Sequence, residues 1–104
     1  MKRKAMRVRV FFCREPDPEI IFKGSKIGRQ AFDTIYDLVW ENEFKNVLNV
    51  GRVWIKFRDE EMPFGTPLKE RRSHYRISRG DVIQIGRDFY MVDLVGGKKV
   101  EVID

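Results

Sequence analysis

Residues 75–104 read YRISRGDVIQIGRDFYMVDLVGGKKVEVID, and this stretch decides the fold. It contains three short runs rich in Val, Ile and aromatic residues, separated by Gly86-Arg87 and Gly96-Gly97. Two-residue glycine turns between such runs are typical of consecutive β-hairpins. The sequence therefore predicts a three-stranded antiparallel meander, with strands at 82–85, 88–95 and 98–103.

The middle strand of this meander has apolar side chains on both faces. Successive side chains of a strand point to opposite faces of the sheet. One face would carry Tyr90, Val92 and Leu94, and the other would carry Phe89, Met91, Asp93 and Val95. We therefore expect this strand to lie inside the sheet and to be covered on both sides.

The N-terminal part predicts a first strand followed by a hairpin. Residues 6–13 place Val8, Val10 and Phe12 on one face, as a strand with one buried face would. Two prolines, at positions 16 and 18, end this strand, because proline cannot donate to a ladder. Residues 19–23 are predicted to be the returning arm, and Ser25 is a candidate N-cap for the next helix.

Residues 27–46 predict one long amphipathic helix. At about 100° per residue, one face carries Ile27, Ala31, Ile35, Leu38 and Val39, and a spacing of four residues adds Phe32, Tyr36 and Trp40. The opposite face carries Asp33, Asp37 and Glu41. We interpret these carboxylates as a solvated helix face, the alternative being attraction of a cation or a basic partner.

Residues 52–58 predict another strand, with an apolar inner face and a cationic outer face. The inner face would carry Val53, Ile55 and Phe57, and the outer face would carry Trp54, Lys56 and Arg58. An exposed Trp between two cations can stack on a nucleobase while phosphates are neutralised. Alternatively, Trp54 covers one end of the core and the two cations are only solvated neighbours.

The densest basic run lies between this element and the meander. It spans residues 68–76 and Arg79 extends it, so that its candidate phosphate ligands are Lys69, Arg71, Arg72, Arg76 and Arg79. Arginine binds phosphate bidentately, and the interleaved His74 and Tyr75 could stack on bases. The alternative is an ordinary solvated loop.

A turn at Arg79-Gly80-Asp81 leads from this run into the meander. Gly80 would supply a permissive backbone, and Asp81 could bond back to the amides of the turn. A Ser-His-Asp combination can also be assembled from Ser73 or Ser78 with His74 and Asp81, but such short-range combinations arise by chance in most chains. We therefore expect no enzyme activity, no catalytic residue, no metal site and no cofactor.

Composition limits the class of protein. The chain has 104 residues, 42% hydrophobic and 36% charged, which predicts one globular domain over residues 1–104, with residues 1–5 flexible. A net charge of +5 permits an acidic partner such as DNA or RNA. The single Cys13, the short apolar runs and the absence of a signal-peptide segment predict a cytoplasmic protein that does not enter a membrane.

Two stretches resemble the YodL-like family of small domains carried on phages, plasmids and other mobile elements. The first is Tyr75-Arg76-Ile77-Ser78-Arg79-Gly80-Asp81-Val82-Ile83, followed by Phe89-Tyr90-Met91-Val92-Asp93 and Gly96. The second is Phe32-Asp33-Thr34-Ile35-Tyr36-Asp37-Leu38, which is similar to an acidic-aromatic helix of that family. The resemblance implies an accessory protein of a virus or mobile element, and it supplies no catalytic residues.

Together these patterns predict an α+β domain in which one amphipathic helix packs on a curved, mostly antiparallel sheet of about six strands. The leading functional prediction is a small non-enzymatic protein that binds nucleic acid through a basic surface. Its predicted site consists of Trp54, Lys56, Arg58, Lys69, Arg71, Arg72, Arg76 and Arg79. The alternatives are a protein-interaction module, such as an inhibitor or adaptor of a host or viral protein, and a minor virion component.

Overall fold

The C-terminal meander has the predicted order of strands. The computed structural model describes residues 6–46, 49–93 and 96–104. In it, β4 (Val82–Ile85), β5 (Asp88–Asp93) and β6 (Gly96–Ile103) are consecutive antiparallel neighbours. Gly86 has a φ angle of 62° in the first turn, a left-handed conformation that glycine adopts without steric cost.

The second glycine pair is not the predicted turn. Gly96 and Gly97 begin β6 and pair with Asp93 and Val92. A Cβ atom on Gly97 would lie 2.9 Å from a methyl carbon of Val50, so glycine is needed there for close packing across the sheet. The predicted facing of residues 94 and 95 falls outside the described residues.

The meander belongs to a six-stranded mixed sheet. Its other strands are β1 (Met6–Cys13), β2 (Lys26–Gly28) and β3 (Tyr36–Phe44), and the strand order is β2-β6-β5-β4-β1-β3. Neighbouring strands are antiparallel except for β2 and β6, which are parallel. The predicted α+β class is confirmed, as is the interior position of β5.

The single long helix predicted over 27–46 is wrong. Helix α1 spans only Arg29–Ile35, and the chain continues directly into β3. β4 pairs with one edge of β1, and β3 pairs with the other edge. The aromatic and branched side chains of β3 favour this extended conformation. Pairing with β1 therefore overrides the helical spacing in the second half of the segment.

A β-bulge explains why this strand imitates a helix. Val10 pairs with Trp40 and Phe11 pairs with Leu38, which leaves Val39 as an extra residue in β3. Beyond a bulge the side chains change faces, so Tyr36 and Trp40 lie on opposite sides of the sheet. Their spacing of four residues arises here from an irregular strand.

The predicted acidic helix face is consequently absent. Asp33 lies on α1, whereas Asp37 and Glu41 lie on β3. Asp37 forms an ion pair with Arg14 at 3.3 Å. Glu41 lies 3.1 Å from a guanidinium nitrogen of Arg7, across the β1–β3 ladder. Two of the three carboxylates therefore balance arginines of the N-terminal part.

The strand predicted over 52–58 is also wrong, because these residues belong to helix α2 (Val50–Asp59). The side chain of Asn49 caps this helix by accepting a hydrogen bond from the Arg52 amide at 2.8 Å. Val53 and Phe57 are buried, whereas Ile55 is 46% exposed. The two buried residues are four positions apart, which is the spacing of a helix face. Ile55 does not share their buried face, although the predicted strand required it to.

The predicted arm at 19–23 is not a strand. A short 3-10 helix covers Pro18–Ile20, and β2 pairs with β6 rather than with β1. Both edges of β1 are already occupied by β3 and β4, so no hairpin partner can be accommodated there. Ser25 does not cap α1, whose N-cap is Gly28 with no side-chain hydrogen bond.

The two α-helices of the described part cover opposite faces of the sheet, where the sequence predicted one helix. Alternate residues of β1, β4 and β5 enter two separate clusters. We name the first the α2-side cluster: Val8, Val10, Phe12, Val39, Trp40, Val53, Phe57, Ile77, Ile83, Ile85 and Val92. The second is the α1-side cluster: Cys13, Phe22, Ile27, Phe32, Ile35, Tyr36, Val82, Phe89, Met91 and Val100.

Neither α-helix of the described part is long and apolar enough to cross a membrane, since α2, the longer one, has 10 residues. The expected flexibility of residues 1–5 concerns a segment outside the described residues.

Candidate nucleic-acid interface

The predicted basic run lies in a long irregular segment, residues 66–79, which we call the basic loop. Its first part lies along the outer edge of β3. The Lys69 amide donates to the Val39 carbonyl at 2.8 Å, and the indole Nε1–H of Trp40 donates to the Thr66 carbonyl at 2.9 Å. These bonds satisfy polar groups of the edge strand and fix the entrance of the loop.

The middle of the basic loop is attached to the sheet through His74. Its ring stacks on Phe12 with centroids 4.3 Å apart and an interplanar angle of 7°. Its Nε2 atom lies 2.7 Å from a carboxylate oxygen of Asp81, whose residue is only 1% exposed. His74 therefore packs inward and is not the base-stacking residue that the sequence suggested.

Asp81 connects the basic loop to β1. Its carboxylate accepts hydrogen bonds from the backbone amides of Cys13 and Ser78, each at 2.8 Å. The predicted turn is confirmed: Asp81 bonds back to the Ser78 amide, and Gly80 has a φ angle of 96°. A Cβ atom on Gly80 would lie 2.8 Å from Pro18, so glycine is required there on two grounds.

Burial raises the pKa of Asp81, because the charged form has lost its hydration. The donors from Cys13, His74 and Ser78 act in the opposite direction and limit the rise. Burial also raises the pKa of the Cys13 thiol, which is only 7% exposed. A protonated, buried thiol is a packing group rather than a nucleophile.

The structure brings Ser73, His74 and Asp81 into one hydrogen-bonded chain. The Ser73 hydroxyl lies 2.9 Å from His74 Nδ1, and His74 Nε2 is bonded to Asp81. This is the order of groups that activates a serine nucleophile in hydrolases. Here the Asp81 carboxylate also accepts from the backbone amides of Cys13 and Ser78. Because Cys13 lies on β1, this combination of residues attaches the basic loop to β1.

The arginines of the basic loop are oriented by neutral carbonyl groups. A guanidinium nitrogen of Arg72 donates to the Lys69 carbonyl at 2.6 Å, and one of Arg76 donates to the Arg58 carbonyl at 2.9 Å. Such bonds fix the guanidinium without cancelling its charge. The pKa of Asp59 is lowered mainly by its bond to Arg58 and also by the Arg76 charge, so Arg76 interacts with one carboxylate at longer range. In the described part of the chain, Lys69, Arg71, Arg72 and Arg76 form no ion pair with a carboxylate.

The three predicted residues of α2 contribute less than expected. Trp54 is half-buried and packs against the α2-side cluster, as in the core-covering alternative. Arg58 lies over the Trp54 ring at 5.0 Å and forms a bidentate pair with Asp59. Lys56 pairs with Glu60 at 2.8 Å. Their charges are therefore partly balanced within α2.

Arg79 is separated from the other loop arginines. Its Nε atom lies 3.7 Å from a carboxylate oxygen of Asp93 on β5, and its side chain lines a different cleft, together with Arg14. The contacts therefore place Arg58, Lys69, Arg72 and Arg76 on the α2 side. They exclude Arg79 and turn Lys56 toward Phe64.

Tyr75, the other stacking candidate that the sequence suggested, is 84% exposed. It borders a cleft of about 490 Å³ lined by Glu61, Met62, Pro67, Leu68, Arg72, Tyr75 and Arg76. Its position between arginines was visible in the sequence, but its outward orientation depends on His74 turning inward.

Comparison with known proteins adds no further assignment: no protein-family model, curated protein or solved structure matches this chain.

Proposed function

We propose that this chain is a small non-enzymatic module that binds nucleic acid through the basic loop. One observation carries the proposal. Lys69, Arg71, Arg72 and Arg76 lie on one loop, and in the described residues no carboxylate forms an ion pair with them. A surface that keeps such charge against solvent is suited to a polyanion.

The mechanism is neutralisation of backbone phosphates. Each cation that meets a phosphate releases condensed counterions, so affinity falls as salt rises, with a log–log slope of about −0.9 per contact on a duplex and about −0.7 on a single strand. Arg72 and Arg76 each have a guanidinium nitrogen already fixed on a neutral carbonyl, so each side chain is positioned and still carries its charge for a phosphate.

Attachment of the loop supports this function. The loop is tied to β3 at Thr66 and Lys69 and to β1 through His74 and Asp81. A loop ordered in advance loses less conformational entropy when it binds. The inward packing of His74 is therefore part of how the cations are presented.

The resemblance to the YodL-like family supports an accessory role in a phage, plasmid or other mobile element. The competing candidate is a protein-interaction module. The apolar Ile20 and Ile103, 82% and 45% exposed, favour it because exposed aliphatic side chains are common at partner surfaces.

The test measures binding at salt concentrations between about 50 and 200 mM. Binding is monitored by the fluorescence anisotropy of labelled single strands and duplexes. The variant carries Arg71→Glu and Arg76→Glu. The matched control is Arg87→Glu, in the turn between β4 and β5, at the opposite end of β4 from the basic loop. Circular dichroism confirms that each variant folds.

We expect the wild type and Arg87→Glu to bind with similar, steep salt dependence. The double variant should bind more weakly, with a log–log slope shallower by about 2. Absence of binding at the lowest salt would refute the proposal and favour the protein-interaction module. An equal loss in the control would show that net charge, not this loop, governs binding.

A further inference from the structure

Tyr75 is the one aromatic side chain of the described part that is both almost fully exposed and set among unpaired cations. Its residue is 84% exposed, whereas the neighbouring His74 is packed on Phe12. The Arg72 guanidinium lies 5.4 Å from the ring centroid, which fixes one side of the ring by a cation–π contact. A ligand that covered this ring would remove its apolar faces from water, which is favourable.

The cleft beside this ring has two kinds of wall. Met62, Pro67 and Leu68 supply apolar surface, and Arg72 and Arg76 supply positive charge. A free phosphate would use only the cations and would share the cleft with the Glu61 carboxylate. A nucleotide matches both walls, because its base is flat and largely apolar on its faces while its phosphate is anionic. The volume of about 490 Å³ leaves room for one base with its sugar.

An unpartnered donor points the same way. The Nε atom of Arg72 is buried and has no hydrogen-bond partner among the described residues. Leaving a buried N–H unpaired is unfavourable. A base or phosphate oxygen that reached this nitrogen could accept from it.

We propose that this cleft holds an unpaired base of single-stranded nucleic acid, stacked on Tyr75, with the flanking phosphates on Arg72 and Arg76. The inference rests on the proposed function of the basic loop and adds that the bound nucleic acid is single-stranded. In a duplex the bases are already stacked on one another, so their faces are not available to Tyr75. RNA and DNA both present this chemistry.

The experiment compares Tyr75→Ala with Tyr75→Phe on single strands and duplexes of equal length and mixed sequence, in RNA and DNA forms. Tyr75→Phe keeps the stacking face and removes only the hydroxyl. Ile20→Ala, which truncates another highly exposed apolar side chain away from the loop, is the matched control. Because Tyr75 is exposed, none of these changes should disturb folding.

We expect Tyr75→Ala to weaken single-strand binding by about 5- to 150-fold. Duplex affinity and the salt slope should stay unchanged, because no phosphate contact is lost. Tyr75→Phe and Ile20→Ala should bind like the wild type. A loss of single-strand affinity in Tyr75→Ala, with duplex affinity unchanged, supports the inference whether it is seen for RNA, for DNA or for both.

Three results would overturn it. These are an unchanged single-strand affinity in Tyr75→Ala, an equal loss on duplexes, or a loss in Tyr75→Phe that matches the loss in Tyr75→Ala. In each of these cases the proposed function still stands if the double variant Arg71→Glu and Arg76→Glu loses affinity. If the wild type binds neither strand form at low salt, both the inference and the proposed function are wrong.

Discussion

The two faces of the sheet use their side chains differently. On the α1 side, Phe32 contacts Phe11, Tyr36 and Phe89, and the short helix closes an aromatic cluster. On the α2 side, the aromatic cluster also carries the basic loop, through Trp40 and through His74 on Phe12. The aromatic contacts of Phe32 stay within the core, whereas those of Trp40 and Phe12 join core packing to the attachment of the basic loop.

This difference predicts where stability and binding are coupled. A change on the α1 side should lower the free energy of unfolding and leave the folded protein's affinity for nucleic acid unchanged. A change on the α2 side, near the attachments of the loop, should lower both. Variants on the two sides of the sheet can therefore separate effects on stability from effects on binding.

The largest effect is expected from truncating the central aromatic residue of each cluster. Phe32 and Trp40 are each 1% exposed, so Phe32→Ala and Trp40→Ala should each lower the free energy of unfolding by about 3–5 kcal/mol, as measured by urea denaturation. Only Trp40→Ala also removes the bond to Thr66.

The milder pair Phe32→Leu and Trp40→Phe keeps enough stability to compare binding. Phe32→Leu should bind single strands as the wild type does. Trp40→Phe should bind more weakly, because the entrance of the basic loop is released. Equal affinities in the two variants would show that the faces are not functionally distinct.

An intermediate effect is expected from Asp81→Asn. The amide cannot accept from Cys13, Ser78 and His74 as the carboxylate does, so a buried donor is left unpaired, at a cost of about 1–3 kcal/mol. The matched control is Asp88→Asn, since Asp88 is exposed and its pair with Lys99 contributes little. Thermal melts of the two variants decide the point: equal melting temperatures would contradict the role of Asp81.

The smallest effect is a pH dependence from the same carboxyl group. Its pKa is raised in the folded state above the ordinary 3.8. The folded protein therefore keeps the Asp81 proton at a pH where the unfolded chain has lost it. The stabilisation from this proton is fully present below pH 3.8 and is lost as the pH rises through the raised pKa. The wild type should lose stability relative to Asp81→Asn over that interval; a gain would contradict the raised pKa.

The sequence predicted the parts of the fold whose pattern is local. β1, the strand order of the meander and its first turn were correct, because their alternation and the turn at Gly86 are set by neighbouring residues. β3 was missed because its bulge at Val39 produces a helix-like spacing. Helix α2 was missed because Val53, Ile55 and Phe57 satisfy an alternating pattern, while burial of Val53 and Phe57 satisfies a helical one.

The candidate site was predicted in composition but not in geometry. Lys69, Arg71, Arg72 and Arg76 do lie in one irregular segment, and their role as a binding group stays a prediction. The pairing of Arg79 with Asp93 and the attachment of His74 to Phe12 depend on contacts between distant parts of the chain. No local pattern reports such contacts, and the exposure of Tyr75 follows from them.

The most direct measurement is a titration of the isotope-labelled protein with a short single strand, monitored by backbone amide chemical shifts. We predict that the largest changes fall on residues 61–62 and 67–76 of the α2 side and weaken as salt is added. The amides of α1 and β2 should not move. Largest changes on the α1 side, or no change at low salt, would contradict the assignment of nucleic-acid binding to the basic loop.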